Sequence, residues 1–556
     1  MKISYINVQF WFILIIGDNM QEVKHADELF KDFKAQSISE FFKKNAAMLG
    51  YTGKIRSLTT IVHEGVTNSL DACEEAGILP DITVRIDELG NEHYRVTLED
   101  NASGIPLKYV PQVFGRMLAG SKAHRNIQSR GQQGIGVSGA VMYSQVTTGK
   151  ATTIYTSTGK GPIIKALVQL DVKNNVGEIL EKEKITNKWG WRGTIISLEC
   201  KNVIYNKSRY SPYNYLRMTS ISNPHSRITF IEPDGTRILY DRSTSIVPKP
   251  PEPIKPHPYG ITPDDLLTMA SHSSKKNLSS FLANEFVRVS GSKAAEIEKM
   301  SGVSGKMSPD RMTWDDAEKI VASFKNIKFF APPTEGLRPI GDDEIRKGLE
   351  STLTPEFTYT VTRAPQTFRG GILFVTEVGL AYGGRSGKQG VEVIRYANRA
   401  PLIFDQGGCA MTEAVKSIDW KRYGVRDVEN SPLTIFINLV STHVPYTSAG
   451  KQAVAYEEEV FYEIRNAIMD AGRALSRFLS GKRRLYEKKS RMNTLLRYVP
   501  ETARSISRLT SSESESIMNS LEKIINEKYN MVPETEEEDQ ENVTPEEDEM
   551  EEEENE

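Results

Sequence analysis

Cysteine is scarce in this chain: three among 556 residues, at positions 73, 200 and 409. Thiols so far apart make neither a disulfide framework nor zinc-ligand spacing, and they point to a reducing compartment. Long apolar runs are also missing. The most apolar stretch, Phe10-Trp11-Phe12-Ile13-Leu14-Ile15-Ile16, is too short to cross a bilayer as a helix, and no small-residue cleavage site follows it. Basic side chains are absent from residues 534–556, which hold fifteen Asp or Glu. That tail hides the character of the rest. The formal net charge is −3, yet the first 533 residues carry 70 basic against 58 acidic side chains, a surplus of 12. A basic body suits a polyanion such as DNA. The acidic tail reads as disordered and solubilising, with competition for a DNA-binding surface as the alternative. The remaining composition, 38% hydrophobic and 26% charged, is that of a globular protein of about three to five domains.

Three segments between residues 63 and 139 carry chemistry that fits one nucleotide pocket. The first, His63-Glu64-Gly65-Val66-Thr67-Asn68-Ser69-Leu70-Asp71-Ala72, reads as a helix. Glu64, Asn68 and Asp71 fall within about 60° of one another on a helical wheel, opposite Val62, Val66, Leu70 and Cys73. A carboxamide oxygen suits Mg²⁺, and a glutamate one turn earlier suits a base for an attacking water. The second segment, Glu99-Asp100-Asn101-Ala102-Ser103-Gly104-Ile105-Pro106, ends a strand-like run, His93–Leu98. That run pairs with 82–86 across a Gly90-Asn91 turn. A buried carboxylate at Asp100 accepts hydrogen bonds, such as one from an adenine amine. The third segment, Arg130-Gly131-Gln132-Gln133-Gly134-Ile135-Gly136-Val137-Ser138-Gly139, is a glycine-rich loop that opens a helix, where backbone amides approach phosphate. Its spacing is neither a Walker P-loop nor a dinucleotide fingerprint. Ser121-Lys122 adds a hydroxyl and a cation upstream. Taken singly, each segment has an ordinary reading: a polar surface helix, turn chemistry, a flexible turn, a solvated lysine. Their order and proximity favour ATP binding and hydrolysis.

Together these segments resemble the Bergerat-fold ATPases of gyrase, mismatch-repair clamps, heat-shock chaperones and sensor histidine kinases. More closely, the chain resembles the B subunits of type IIB DNA topoisomerase (topoisomerase VI). That likeness rests on Val113-Phe114-Gly115-Arg116-Met117-Leu118 with Gly120-Ser121-Lys122, then Arg130–Gly136, and it runs from about residue 24 to about 490. Ala102 departs from the family's glycine. The resemblance implies Glu64 as the base, Asn68 as the Mg²⁺ ligand and Asp100 as the adenine contact. It makes residues 130–137 the phosphate lid, with Ser121 and Lys122 beside the phosphates and Thr194 closing the adenine side. It also assigns Lys451, in Pro445-Tyr446-Thr447-Ser448-Ala449-Gly450-Lys451-Gln452, to the γ-phosphate from a second domain. Asn398-Arg399-Ala400-Pro401-Leu402 is a further family-like turn, to which the sequence assigns no role.

The expected fold is α/β (α+β). Residues 1–19 are read as a spurious or disordered extension, 20–245 as the ATPase sandwich, and 246–334 as a proline linker plus a helix-two-turns-helix domain. Residues 335–485 follow as a transducer domain with a long helix, 486–533 as a basic helical extension and 534–556 as the tail. The helical insert begins helices at Thr262-Pro263 and Thr313-Trp314, each with a threonine cap. From about Val454, the positions Val460, Ile464, Ile468, Ala471, Leu475 and Phe478 form one apolar stripe.

No cleavage tyrosine motif or acidic metal cluster is recognisable. The resemblance therefore implies a cytoplasmic ATP-driven clamp with ATP and Mg²⁺ as cofactors. It would dimerise on itself, close on duplex DNA and work in an A2B2 heterotetramer with a DNA-cleaving A subunit, with no membrane contact. The alternative is another Bergerat-fold ATPase, a mismatch-repair clamp or chaperone, which would lack the helical insert. A sensor kinase would need a phosphoacceptor helix before Glu64, and His25 has no such context. Mass spectrometry of the native protein is expected to find a first residue at Met20, and a chain beginning at Met1 would overturn that reading.

Overall fold

The computed structural model describes residues 46, 50–117, 127–131, 136–171, 174–330, 332–333, 336–387, 390–448 and 450–529. The chain forms two compact units, one of residues 1–419 with 427–471 and one of 420–426 with 472–556.

The first unit is built outward from helix α1, Lys54–Glu75. Its Val62, Val66, Leu70 and Cys73 are fully buried, the face that the apolar spacing marks out. Gly65 sets the depth of packing, because a Cβ there would lie 2.8 Å from a Leu98 methyl. Strands β1 (Asp81–Gly90) and β2 (His93–Asp100) pair antiparallel, as the Gly90-Asn91 turn implies. They belong to an eight-stranded sheet with β3 (Thr152–Thr158), β4 (Ile163–Asp171), β5 (Val176–Ile185), β6 (Arg192–Lys201), β7 (Arg227–Ile231) and β8 (Arg237–Tyr240). The strand order is β5-β4-β3-β6-β2-β1-β7-β8, and only β1 and β7 run parallel. Helices α2 (Val110–Gly115), α3 (Gly136–Thr148) and α4 (Pro212–Ser222) pack with α1 as a layer on this sheet. β2 alternates between half-buried and buried positions, so Tyr94, Val96, Leu98 and Asp100 all point into that layer. The open edge at β5 exposes Glu178, Glu181, Lys182, Glu183 and Lys184.

After β8 the proline-rich stretch has no regular structure until Pro258. Four helices follow: α5 (Pro263–Ser271), α6 (Leu278–Glu285), α7 (Gly291–Ser301) and α8 (Trp314–Phe324). They close around their own core, which includes Leu266, Phe281, Leu282, Ile297, Ile320 and Phe324. Thr262 and Thr313 each cap a helix in a reciprocal box with Asp265 and Asp316, as the sequence predicts.

A second, six-stranded sheet completes the first unit. Its order is β10-β11-β14-β12-β13, with β9 on β11. The strands are β9 (Phe357–Thr362), β10 (Gln366–Phe368), β11 (Ile372–Tyr382), β12 (Glu392–Ala397), β13 (Ala400–Pro401) and β14 (Leu433–Ser441). Helix α9 (Asp342–Leu353) packs on β9 and β11, and its Ile345, Leu349 and Leu353 join the same apolar core as α1 and α4. Helix α10 is Ala410–Lys416.

Helix α11 runs from Glu458 to Thr510. It starts four residues later than the expected Val454. Val454 is held in a β-bridge to Tyr446, which keeps it extended. In the first unit Val460, Ile464, Ile468 and Ala471 of the stripe are fully buried, and Arg363 grips Glu463 and Asp470 at 2.7 and 2.6 Å. In the second unit Leu475 is buried and α11 continues without interruption through residue 485, past Pro500. Helix α12 (Ser514–Lys528) follows. Among the described residues no helix is long and apolar enough to cross a membrane.

Replacing the α8 cap, Thr313→Ala, removes a side-chain acceptor from the Asp316 amide. It is expected to cost about 1 kcal/mol. Hydrogen exchange over residues 314–324 should quicken while exchange in the eight-stranded sheet stays unchanged.

Candidate active site

The site forms where α1 meets the start of α3. α1 turns Glu64, Asn68 and Asp71 away from the sheet, with Asn68 exposed and the two acids half-buried. The Asn68 amide nitrogen donates to the Glu64 carbonyl at 2.7 Å, which leaves its oxygen for another partner. α3 begins at Gly136, and a Cβ there would come within 2.0 Å of Glu64 Oε2. Only glycine lets the glutamate carboxylate lie against this helix end. The positive dipole end of a helix start favours anions beside it.

The next residue on α1, Ser69, ties the helix to the end of β2. Its hydroxyl donates to Asp100 at 3.0 Å. Asp100 also accepts from the Ala102 and Thr194 amides, each at 3.1 Å. Burial pushes its carboxyl pKa up, and these three donors oppose the rise. Ala102, where the family has glycine, is buried and is not among the positive-φ residues, so its methyl group sits without backbone strain. Gly193 has φ 143°, and a Cβ there would meet the Asp100 carbonyl at 2.0 Å. The β6 glycine thus brings Thr194 alongside Asp100.

Lys451 comes from the loop after β14, in a left-handed conformation with φ 51°. Burial pushes its ammonium pKa down, while Glu64 and Asp71 push it back up. His63 is likewise lowered, first by burial, then raised by Glu64 and lowered by Lys451. Glu64, His63, Asp71 and Lys451 therefore share one electrostatic neighbourhood, although 387 positions separate Glu64 from Lys451 in the sequence.

Arg130, at the start of the glycine-rich segment, is turned toward α1. Its guanidinium is buried and binds Glu74 twice, at 2.7 and 3.0 Å, Asp71 at 2.6 Å and Asn223 at 2.6 Å. His225 meets the same Glu74 at 2.9 Å, and Arg399 lies 4.0 Å from it. Burial alone would raise the Glu74 pKa. Arg130, His225 and Arg399 outweigh burial and hold it well below the usual carboxylate range. Its contribution to stability is therefore present above the unfolded value near 4.5 and fades only as pH falls through the lower folded value. A cavity of about 250 Å³ opens beside this cluster, lined among others by Glu74, Gln128, Arg130, Arg338, Asn398 and Arg399.

The structure thus brings Glu64, Asn68, Gly136 and Lys451 together, and it pairs Asp100 with Thr194. Arg130 is turned to the α1 acids, Gly131 is open on its Cα, and Val137 is half-buried against the core. Ser121, Lys122, Gln132, Gln133, Gly134 and Ile135 lie outside the described residues. Sequence reasoning passed over Ser69, Glu74, Asn223 and His225, and it singled out the turn that holds Arg399 without a role for it. Glu74 sits one helical turn beyond Asp71 and carried a usable signal. The other three carried none, since nothing local marks them as buried.

This fold and site define an ATPase of the histidine kinase, DNA gyrase B and HSP90-like class, and a family profile with that description matches residues 53–172. A second profile, described as the transducer of the topoisomerase VI B subunit, matches residues 332–491. The B subunit of type 2 DNA topoisomerase 6 from Pyrococcus abyssi is 52% identical over 550 residues, spanning 90% of this chain and 97% of that protein. The protein of the same name from Methanothermobacter thermautotrophicus is 48% identical over 486 residues, spanning 86% and 92%. The chain belongs to the family of type 2 DNA topoisomerase 6 B subunits, the ATPase subunits of a type II DNA topoisomerase. The alternative of a mismatch-repair clamp or chaperone is set aside by the transducer match.

Because the Glu64 carboxylate fills the space a Gly136 Cβ would need, Gly136→Ala must displace it. ATP turnover is expected to fall about 10²-fold, the cost of an ångström-scale misplacement, while circular dichroism stays native.

Proposed function

We propose that Glu64 is the base that takes a proton from the water attacking the γ-phosphate of ATP, and that Lys451 neutralises charge on the phosphoryl oxygens as that bond breaks. One observation carries this reading: the Glu64 carboxylate lies against the Gly136 end of α3, within electrostatic reach of Lys451. A base, a helix N-terminus and a cation thus converge where a terminal phosphate would sit. Asp100, held by Ser69 and Thr194, receives the adenine amine, and Thr194 closes that side. The glycine-rich residues Gly131–Val137 cover the phosphates, with Ser121 and Lys122 beside them. Arg130 serves as the anchor of that loop rather than as a phosphate ligand.

The Asn68 carboxamide oxygen, on an exposed position one helical turn after Glu64, is an oxygen donor that suits a hard cation, so Asn68 is the candidate Mg²⁺ ligand. Bound there, Mg²⁺ supplies charge neutralisation of the phosphate oxygens.

ATP binding pairs two copies of the chain, and the closed pair captures a DNA duplex. Hydrolysis and γ-phosphate loss, sensed through Lys451, reset the pair. Strand cleavage belongs to a separate A subunit in an A2B2 assembly acting in the cytoplasm, and the outcome is strand passage and relaxation of supercoils. The domain limits at 245, 334 and 485 divide these tasks among ATPase, helical insert and transducer.

Copurification of the chain from its host should yield ATP-dependent relaxation of supercoiled DNA that requires a second polypeptide. Relaxation by this chain alone, or without ATP, would overturn the proposal. Glu64→Ala should bind ATP and slow hydrolysis by about 10²–10⁴-fold, whereas loss of binding would mean that the base lies elsewhere.

A further inference from the structure

The turn between β12 and β13 bonds to the segments that lead into both loops that the proposed reading assigns to the γ-phosphate. Asn398 and Arg399 take φ values of 50° and 68° there, the left-handed pair of a tight hairpin turn. Asparagine tolerates that conformation, and its side chain is 2% exposed. The Asn398 backbone amide donates to the Leu439 carbonyl at 2.9 Å. Its carboxamide then extends the β14 ladder like one more peptide group: the oxygen accepts from the Ser441 amide at 3.0 Å, and the nitrogen donates to the Ser441 carbonyl at 2.9 Å. The nitrogen also donates at 3.1 Å to the Ser129 carbonyl. One buried side chain thereby joins two places. Ser129 lies two positions before Gly131, where the glycine-rich loop begins. Ser441 ends β14, from which the Lys451 loop departs.

The surrounding bonds keep this junction short. Gln128 reaches the Arg338 backbone with both ends of its amide, at 3.0 and 2.7 Å. Arg130 is fixed to α1 by Glu74 and Asp71. The Lys451 loop is closed at its base by the Thr447 amide on the Ala453 carbonyl at 3.0 Å. Its far end is tied back when the Phe404 amide donates to Gln452 at 3.3 Å. Neither loop therefore hangs from a slack stem.

We propose that Asn398 is a positioning residue that sets the distance between the stem of the phosphate loop and the Lys451 loop, so that both meet the γ-phosphate as one unit. The inference rests on the assignment of Lys451 and the glycine-rich loop made above. It makes the amide nitrogen the critical atom. Asn398→Asp keeps the shape and the acceptor for Ser441 but faces two carbonyls with an oxygen, so the bridge to Ser129 is lost.

The test uses the full chain, with ADP and the non-hydrolysable β,γ-imido analogue of ATP titrated calorimetrically, and with ATP turnover measured at steady state. Asn398→Asp is expected to bind ADP within about twofold of the native chain and to lose about tenfold of its preference for the imido analogue over ADP. Its kcat should fall more than its KM rises. Gln128→Glu, which breaks the neighbouring strap on Arg338, is expected to shift the same preference in the same direction by less, and it serves if Asn398→Asp does not fold. Equal weakening of both nucleotides, or an unchanged preference, would overturn the proposal. Lys451→Ala separates the two readings. If it keeps the native preference for the imido analogue, the assignment of Lys451 has failed. If it loses that preference while Asn398→Asp keeps it, only the junction has failed.

Discussion

The whole site depends on one close approach, that of the Glu64 carboxylate to the first residue of α3. Two glycines make that approach possible. Gly65 lets α1 settle onto Leu98 of β2, and Gly136 leaves room for the acid. Ser69 fixes the rotation of α1 by bonding Asp100 at the strand end, so the helix can neither roll nor slide without breaking that contact. From this fixed helix the carboxylate faces the amide end of α3, where the local field favours negative charge. The second sheet enters the same field by sending in a lysine.

A cluster of charged and polar side chains continues from that face of α1. Arg130, Glu74 and Arg399 are buried there, with Asp71 and His225 as partners, and an unpaired charge in such a place would be costly. Each is tolerated because the others are present. Cores of this kind are exacting rather than strong: the geometry is satisfied in one arrangement, and partial arrangements leave a charge exposed to low dielectric. The stem of the phosphate loop inherits that exactness through Arg130. The second sheet inherits it through Arg399, whose amide is held by Asn438 at 3.1 Å, while Asn438 in turn donates to the buried Glu377 at 2.7 Å.

Much of this was legible beforehand where the rule is local. The spacing of Glu64, Asn68 and Asp71 marks one face of a helix whatever it packs against, and the buried positions of α1 follow. The threonine caps at 262 and 313 and the β1–β2 turn are short-range chemistry and appear as expected. What failed to show in the sequence is long-range. The start of α11 lies four residues late because a single bridge, Tyr446 to Val454, overrides helical propensity. Arg130 reads as a loop cation beside glycines, and only the folded chain reveals that it faces two acids more than fifty residues away. Asn398 and Arg399 stood out as a turn without a purpose, since their partners, among them Glu74, Ser129, Ser222, Pro339 and Ser441, are scattered along the chain. Lys451 was reachable only through resemblance, because one lysine among 70 basic residues carries no signal of its own.

The charged rim of the eight-stranded sheet has a consequence for how copies of this chain meet. β5 presents glutamates and lysines along the border of the sheet, and any strand approaching that border would have to strip these charges of water. Growth of the sheet by docking a neighbour's edge is thereby discouraged. The sheet therefore stops at its own border, and a second molecule gains little by adding a strand to it.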